Sequence, residues 1–486
     1  MKLTRRDFLL SSSGLLLLSN RSAFSQDKKS VIVAGAGLSG LSAAYELALK
    51  GFDVTVIEGR DRIGGRIRTL REPFSDGLHV ETGGEIIGDG YTRMLGYLDK
   101  FGIEYQELRG DVETGGALEE LQQGIGMTAY MKGNLYPRGT VLKRNPYGLK
   151  GDEAIGLPPN IYSANLRTMY NEVRNNTKTL ADYDKLSLAQ ALLEKGVSQK
   201  AIELIDISLN YNSINNVSAG GVLSDNIRRR ASGSVPIKVD GGNDLIPKAL
   251  AENAVKNGVK ILLSSKIKRI SQGEKSVKVF YHDRSGRLQS AVANKLVCTI
   301  PFSVLREVEF LPGLPQEKRR AIEELDYTLN TKVYLQTKYR EWGKRALGAS
   351  VWTDTRLERI FSSTGQPGDS SSIFTIWTEG NGSKFLEKMS TPLRMDYARR
   401  KFEEILPFMA GSVERTHTKS WSQDEFVRGA YSQLNVGQLT SIKPDIKTAV
   451  GNIHFAGEHT AETSPGMEGA LESAERVVDE ITAAGV

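Results

Sequence analysis

Three glycines, an acid and a later arginine carry the first chemistry legible in the chain. Gly35, Gly37 and Gly40 form G-x-G-x-x-G, and Glu58 follows eighteen residues after Gly40. Gly35 permits a tight turn, Gly37 lets backbone approach a pyrophosphate, and Gly40 lets a helix pack closely on a strand. Free backbone N–H groups and the helix dipole then face negative phosphates. A carboxylate at Glu58 accepts hydrogen bonds from ribose hydroxyls and repels a 2′-phosphate. This much suits NAD or FAD equally. The stretch Arg62-Ile63-Gly64-Gly65-Arg66 narrows the choice. Gly64 and Gly65 would bring backbone close to a bound group, and Arg66 would reach a phosphate or the edge of a flavin.

The elements these residues need are present. Val31–Ala34 is a continuous apolar strand, Leu41–Leu49 has helical spacing closed by Gly51, and Asp53–Ile57 is a second strand. That strand–turn–helix context is what the glycine motif requires. Arg93–Phe101 reads as a helix ending at Gly102. Residues 105 to 235 lack strand alternation and include helical segments at Leu188–Lys195 and Lys200–Leu209. Strand signals return at Val259–Ile270, Ser276–Asp283 and Lys295–Pro301. Thr331–Tyr339 and Ser371–Gly380 alternate as in an antiparallel sheet. The chain closes with a strand, a turn and an amphipathic helix.

The 486 residues exceed one ordinary core, so two domains are expected. With 39% hydrophobic and 25% charged residues, the composition is that of a globular enzyme. The formal charge is +6, but residues 1–25 hold Lys2, Arg5, Arg6 and Arg21 against Asp7, leaving about +3 elsewhere. That is too little to indicate nucleic acid. Cys298 is the one cysteine, so no internal disulfide or cysteine-based metal site can form, and the five histidines show no ligand spacing. No metal is expected. Residues 1–25 have a charged start, a short apolar run from Phe8 to Leu18, and small residues at Ala23 and Ser25. This is an export-signal pattern, too short to span a bilayer. Arg5-Arg6 followed by Asp7-Phe8-Leu9 resembles a twin-arginine signal, a route for proteins folded around a cofactor. A bacterial periplasmic or secreted protein is expected, with no stable membrane insertion after signal removal.

From Arg62-Ile63-Gly64-Gly65-Arg66 onward the chain resembles the flavin-containing amine oxidases: monoamine oxidases, polyamine oxidases and L-amino-acid oxidases. Further similar segments are Glu81–Gly88, Val239–Glu252, Cys298–Pro315, Phe455–Thr460 and Pro465–Val477, in the family's order. The resemblance implies an α/β fold. A Rossmann-type FAD-binding domain would be assembled from 26–98, 236–300 and 446–486. A substrate domain of antiparallel sheet and helices would take 99–235 and 301–445. It places Leu38 and Ser39 along the pyrophosphate, Glu58 at the ribose and Arg66 on the phosphate side. Gly83 and Gly84 would flank the ring, Ile267 would give backbone to the adenine, and Glu458 would hold the ribityl or pyrophosphate end. Gly466 and Met467 would present N–H groups to the flavin carbonyl, where a helix N-terminus stabilises negative charge.

The implied reaction is hydride removal from a carbon bearing an amine, followed by imine hydrolysis and reoxidation of the flavin by oxygen to give hydrogen peroxide. The runner-up substrate is an L-amino acid. A dehydrogenase using another electron acceptor, and a flavin desaturase or isomerase, are the further alternatives. No oligomeric state is assigned. Some relatives tether flavin through a Cys before a Tyr; here Gly429-Ala430-Tyr431 has no thiol, so FAD is expected to be noncovalent. The family lysine that holds a water near the reactive flavin nitrogen would fall, by a P-x-x-x-x-K spacing from Pro301, at Arg306. Tyr431 matches one tyrosine of the monoamine oxidase cage, while Gly466 stands where the other would be. Trp377 or Trp421 is then a candidate second wall. Glu85, Ile86 and Ile87 follow the second glycine pair where L-amino-acid oxidases carry an arginine. This favours an amine without a carboxylate, or grip from elsewhere, such as Arg228–Arg230. Glu85 is a candidate partner for a second cationic group.

Overall fold

The computed structural model of the chain describes residues 29–108, 128–137, 140, 142, 144–207, 209–230, 233, 235–338, 350–363 and 371–483. The proposed signal at 1–25 lies outside them. Strand β1 (Ser30–Ala34), helix α1 (Leu38–Leu49) and strand β2 (Asp53–Ile57) form the expected opening unit. β1 is the central strand of a five-stranded parallel sheet, in the order Lys260–Leu262, β2, β1, Lys295–Cys298, Ile453–Phe455. Four distant segments therefore build one sheet.

The apolar run of β1 follows from burial on both faces. Val31 and Val33 pack toward α1 and the closing helix Gly466–Ala483, whereas Ile32 and Ala34 pack toward a four-stranded sheet that includes Lys266–Gln272 and Val277–His282. The period of two along a strand sends alternate side chains to these two cores.

A second, seven-stranded sheet runs Val413–Ser420, Asn330–Thr337, Ser372–Glu379, Arg359–Ser362, Ser350–Thr353, Thr128–Met131, Asn134–Tyr136. Its pairs are antiparallel except Ser350–Thr353 with Thr128–Met131. The region 105–235, read as mostly helical, thus contributes the hairpin 128–136. Its turn at Lys132-Gly133 has positive φ at both residues, the geometry of a tight hairpin. The four residues Thr128–Met131 are all buried, so they carry no alternation. The remaining helices there include Pro158–Arg174, Leu188–Glu194 and Ala219–Arg230. The stretch 259–270 divides into two strands that belong to different sheets.

The two main sheets meet through polar contacts as well as core. Arg60, just after β2, donates from Nη1 to Asp424 Oδ2 at 3.1 Å, and Lys419 of the seven-stranded sheet pairs with the same carboxylate. Burial opposes ionisation of Asp424, but Arg60 and Lys419 outweigh it and hold its pKa at about 2. A depressed pKa in the folded state stabilises above the unfolded value of about 3.9, and that contribution is lost as pH falls through about 2. Asp424→Asn should therefore cost roughly 2 kcal/mol at pH 7. The gap between variant and wild type should narrow from pH 4 to pH 2 in denaturant titrations. A gap constant across that window contradicts this account of the joint.

Candidate active site

A cavity of about 940 Å³ opens at the C-terminal ends of β1 and β2 and continues to the seven-stranded sheet. This is where open parallel sheets bind ligands, and the volume lies at the upper end of single-ligand pockets, about 300–1,000 Å³. Gly35, Gly37, Leu38, Ser39, Glu58, Gly65, Arg66, Gly83, Gly84, Glu85, Ile267, Trp377, Tyr431, Glu458, Gly466 and Met467 all line it. Gly40 does not. Its missing Cβ would stand 2.1 Å from the Gly35 carbonyl, so this glycine acts through helix–strand packing.

The cradle for a dinucleotide is built from backbone. Gly35 has φ +107°, and Gly37 begins α1 with no side-chain cap on the first turn. A Cβ on Gly65 would lie 3.0 Å from Gly37 Cα, so the two glycine loops approach at van der Waals contact. Glu58 is buried and accepts from Ala36 N at 2.7 Å and Arg60 N at 2.8 Å. Burial raises its pKa and these N–H bonds oppose the rise. Each oxygen keeps a second lone pair for ribose hydroxyls. Farther along the cavity wall, the pairing of Lys266–Gln272 with Val277–His282 shifts register between Ile267 and Arg269. Such a bulge releases local backbone groups from the ladder, and Ile267 faces the cavity there.

Arg66 and Glu458 close the middle. Arg66 Nη1 donates to Glu458 Oε1 at 2.9 Å and to Ala430 O at 2.7 Å. Glu458 also accepts from Ser432 N at 3.1 Å. Burial alone would raise the Glu458 pKa, but Arg66 and His459 reverse the direction. His459, also on the wall, has both ring nitrogens buried without a partner among the described residues. Buried polar atoms normally find one. The glycine cradle, the ribose acid and these orphaned nitrogens fit a dinucleotide cofactor such as FAD.

The inner half is set by the second sheet. A Cβ on Gly83 would collide with the Arg66 carbonyl at 1.7 Å, and one on Gly84 with Met467 Sδ at 2.7 Å. The Gly83 clash is with backbone and excludes a side chain, whereas a side chain at Gly84 would have to displace Met467, so backbone forms this wall. Opposite it stands Lys332, 1% exposed in a strand whose eight residues are all buried. Lys332 Nζ reaches Glu85 Oε2 at 3.0 Å and the Gly83 carbonyl at 3.4 Å, and sits 3.9 Å over the Trp377 ring. Trp377 Nε1 and Tyr431 Oη both donate to Glu379 Oε1, at 2.8 and 2.6 Å. One buried carboxylate thereby holds two aromatic walls.

Arg306 is the correction. Its Nε donates to the Ile322 carbonyl at 2.8 Å and its Nη2 to Leu325 O, and it does not line the cavity. Pro301 caps the short helix Phe302–Leu305, which turns Arg306 toward those carbonyls. Lys332, unlike Arg306, lines the cavity beside the Gly83 carbonyl. The signal for Lys332 was that it is the one charged residue of the strand Asn330–Thr337. Trp377 is a cavity wall. Trp421 also touches the cavity, although it is 2% exposed and its Nε1 is committed to the Thr82 carbonyl at 2.6 Å. The space beside Gly466 is taken by Tyr91, whose hydroxyl lies 3.7 Å from the missing Cβ. Glu85 is engaged by Lys332, which satisfies it without a second cationic group. Arg228 and Arg229 pair with Asp225 at 3.0 and 2.7 Å and line the cavity. No cluster that could hold a metal occurs among the described residues.

Residues 38–482 match the family model described as flavin containing amine oxidoreductase. YobN of Bacillus subtilis (strain 168) is 28% identical over 482 residues, covering 97% of this chain and 98% of that protein. The L-amino-acid oxidase of Pseudechis australis is 25% identical over 461 residues, covering 92% and 85%. The solved structure of wild-type putrescine oxidase bound to putrescine superposes with TM-score 0.74 at 20% identity, covering 94% of this chain and 99% of that one.

Proposed function

Because the chain belongs to the flavin-containing amine oxidoreductase family, we propose that it is an FAD-dependent oxidase of primary or secondary amines that holds its cofactor noncovalently. The observation that carries this reading is one cavity in which a dinucleotide cradle runs into Lys332, Trp377 and Tyr431. A bound FAD would supply acceptance of a hydride from the carbon bearing nitrogen and two-electron reduction of oxygen to hydrogen peroxide, with hydrolysis of the resulting imine by water.

The protein residues provide the setting. Trp377 and Tyr431 offer flat apolar faces between which an amine docks away from bulk water. Lys332, whose Nζ lies within the cavity wall, disfavours a second positive charge nearby. An incoming amine is thereby biased toward its neutral form, whose lone pair assists hydride loss. The Gly83–Gly84 backbone lets a planar ring lie close, and the closing helix points its N-terminus, at Gly466 and Met467, into the same cavity. That end favours negative charge on a reduced ring. Lys332 in place of Arg306 supports oxygen as the acceptor, because a compact ammonium beside Glu85 can hold a water or a reduced-oxygen species. The charged wall argues for a polar substrate over the long apolar one of a desaturase.

Noncovalent attachment rests on two facts: no thiol precedes Tyr431, and Cys298 is buried within a strand of the parallel sheet. Boiling or acid should release all the flavin as FAD and leave a polypeptide of unmodified mass. Retention of flavin on the denatured chain contradicts the noncovalent assignment. A panel of amines and amino acids scored for peroxide, run beside an artificial-dye assay, tests the activity. Peroxide from at least one compound is expected. Dye reduction without peroxide would make the protein a dehydrogenase. We also read residues 1–25 as a twin-arginine-type signal, so the mature enzyme belongs in the periplasm or outside the cell. Replacing Arg5-Arg6 by Lys-Lys should retain the protein in the cytoplasm.

A further inference from the structure

Two glycine-bearing segments meet behind the backbone wall of the cavity. Strand Val80–Glu81 pairs with Thr69–Leu70, so Glu81 stands opposite Thr69. Glu81 Oε1 accepts from Thr69 Oγ1 at 2.9 Å and from Asn243 N at 2.9 Å, and the same hydroxyl lies 3.0 Å from Oε2. Asn243 is 3% exposed, and its side chain reaches the wall: Nδ2 donates to the Gly84 carbonyl at 3.0 Å and to the Glu85 carbonyl at 2.9 Å. One asparagine thus ties the Glu81 carboxylate, through its own backbone, to the two carbonyls that follow Gly83. The turn that carries Asn243 is held in place as well. Gly242 has φ +108°, and Asp244 N donates to Thr69 Oγ1 at 3.1 Å. Gly83, Gly84 and Glu85 line the cavity, whereas Thr69, Glu81 and Asn243 do not.

Glu81 is the carboxylate of this cluster that no cation neutralises. Glu85 pairs with Lys332 at 3.0 Å, and Asp244 pairs with Arg71 at 3.0 Å and Lys248 at 2.7 Å, whereas Glu81 forms no ion pair among the described residues. Lys332 Nζ and the Tyr334 hydroxyl reach only its backbone carbonyl, each at 3.4 Å. Burial pushes the Glu81 carboxyl up to about 7, with Glu85 and Asp244 adding to the rise and the Asn243 and Thr69 bonds opposing it. An ionised Glu81 accepts from both donors at once. A protonated one must place its own O–H, and the oxygen within reach is Thr69 Oγ1, which already accepts from Asp244 N. The Thr69 hydroxyl hydrogen must then turn away. The two charge states therefore hold Asn243, and through it the Gly84 and Glu85 carbonyls, differently.

We propose that Glu81 is a positioning residue for the flavin: its charge sets how the Asn243 clamp seats the Gly83–Gly84 wall, so a ring bound beside that wall senses whether Glu81 is ionised. This rests on the flavin reading of the cavity above. Glu81 lies behind the wall and exchanges no proton with substrate or cofactor. Its ionisation puts a negative charge on the far side of the glycine pair, which disfavours electrons added to the ring. Its protonation removes that charge.

The test uses purified, flavin-loaded enzyme without substrate. Visible absorption and circular dichroism of the oxidised flavin are followed across neutral pH, and the midpoint potential is measured over the same range. A single spectral step centred at about 7 is expected in the wild type. Glu81→Gln keeps the shape of the side chain but cannot ionise. Its spectrum should not change across the range, and its potential should fall less steeply with pH than that of the wild type. Thr69→Val removes a donor that favours the ionised carboxylate, so the step should move up by roughly one pH unit. No step in the wild type, or the same step in flavin-loaded Glu81→Gln, overturns the proposal while leaving the flavin reading standing. A step that Thr69→Val leaves in place or moves down also overturns it, and this arm decides the case where the glutamine variant loses its flavin. A wild-type protein that binds no flavin removes the flavin reading and the proposal with it.

Discussion

Lys332→Met should keep its flavin and lose roughly 100-fold or more in the rate at which oxygen reoxidises it. Oxygen gains negative charge as it accepts electrons, and a fixed cation in a water-poor site stabilises that charge before the transition state is passed. Removing one such preorganised group costs about 10²–10³ in rate. Lys332 is suited to this by position: it is 1% exposed, anchored to Glu85 Oε2 at 3.0 Å, and faces the backbone wall at Gly83. Reduction of the flavin by substrate should slow less, and chiefly at lower pH, because loss of the ammonium lets the incoming amine hold its proton to a higher pH. Stopped-flow measurement of the two half-reactions separates the cases. Equal slowing of both would mean that Lys332 only shapes the pocket. The variant also strips Glu85 of its partner, so Glu85→Gln combined with Lys332→Met tests whether a stranded carboxylate is the cause. Arg306→Lys, by contrast, should leave reoxidation unchanged, since Arg306 is bound to the Ile322 and Leu325 carbonyls outside the cavity.

The second large effect is expected at Gly40. A valine there would press its Cβ into the Gly35 carbonyl at 2.1 Å and into Thr299 Oγ1 at 3.2 Å. The first obstacle is backbone and cannot swing aside. α1 would have to lift from β1, carrying with it the uncapped N–H groups at Leu38 and Ser39 and the Glu58 bond to Ala36 N. Core overpacking of this kind costs about 1–3 kcal/mol even where neighbours can shift. Here the lost contacts include the phosphate site itself. Gly40→Val should purify colourless and melt at a lower temperature than the wild type. A variant that kept a full complement of flavin would show that this turn is not the cofactor cradle.

The parts of the site that were legible in the sequence are local. Gly35, Gly37, Gly40 and Glu58 are spaced by one turn, one helix and one strand, so their geometry follows from short-range rules. The closing helix is likewise announced by its own pattern, with Gly466 and Met467 at its start. Arg306 and Lys332 show where such reading ends. A spacing counted from Pro301 pointed to Arg306, yet the four-residue helix after Pro301 directs that side chain to carbonyls. Which residues face the cavity from the seven-stranded sheet depends on register. Lys332, Trp377 and Arg359 are separated by up to 45 positions in the chain and become neighbours only when three strands pair. Alternation is also no guide to burial where both faces are covered: Thr128–Met131 is buried throughout, and so is Asn330–Thr337, although alternation of exposure was expected from Thr331 onward. Glu379 was legible only in part: Trp377 stands two residues before it on the same strand, whereas Tyr431 reaches it from a distant loop.

The central claim is that a flavin held by the β1–α1 cradle is reduced by an amine docked against Trp377 and Tyr431. It is tested most directly by anaerobic titration of the purified, flavin-loaded protein, followed by its visible absorption. An amine or amino acid substrate should bleach the oxidised flavin bands completely at about one equivalent per site, and admitted oxygen should restore them with release of hydrogen peroxide. A preparation without flavin absorption, or a flavin that no amine or amino acid reduces, would contradict the account.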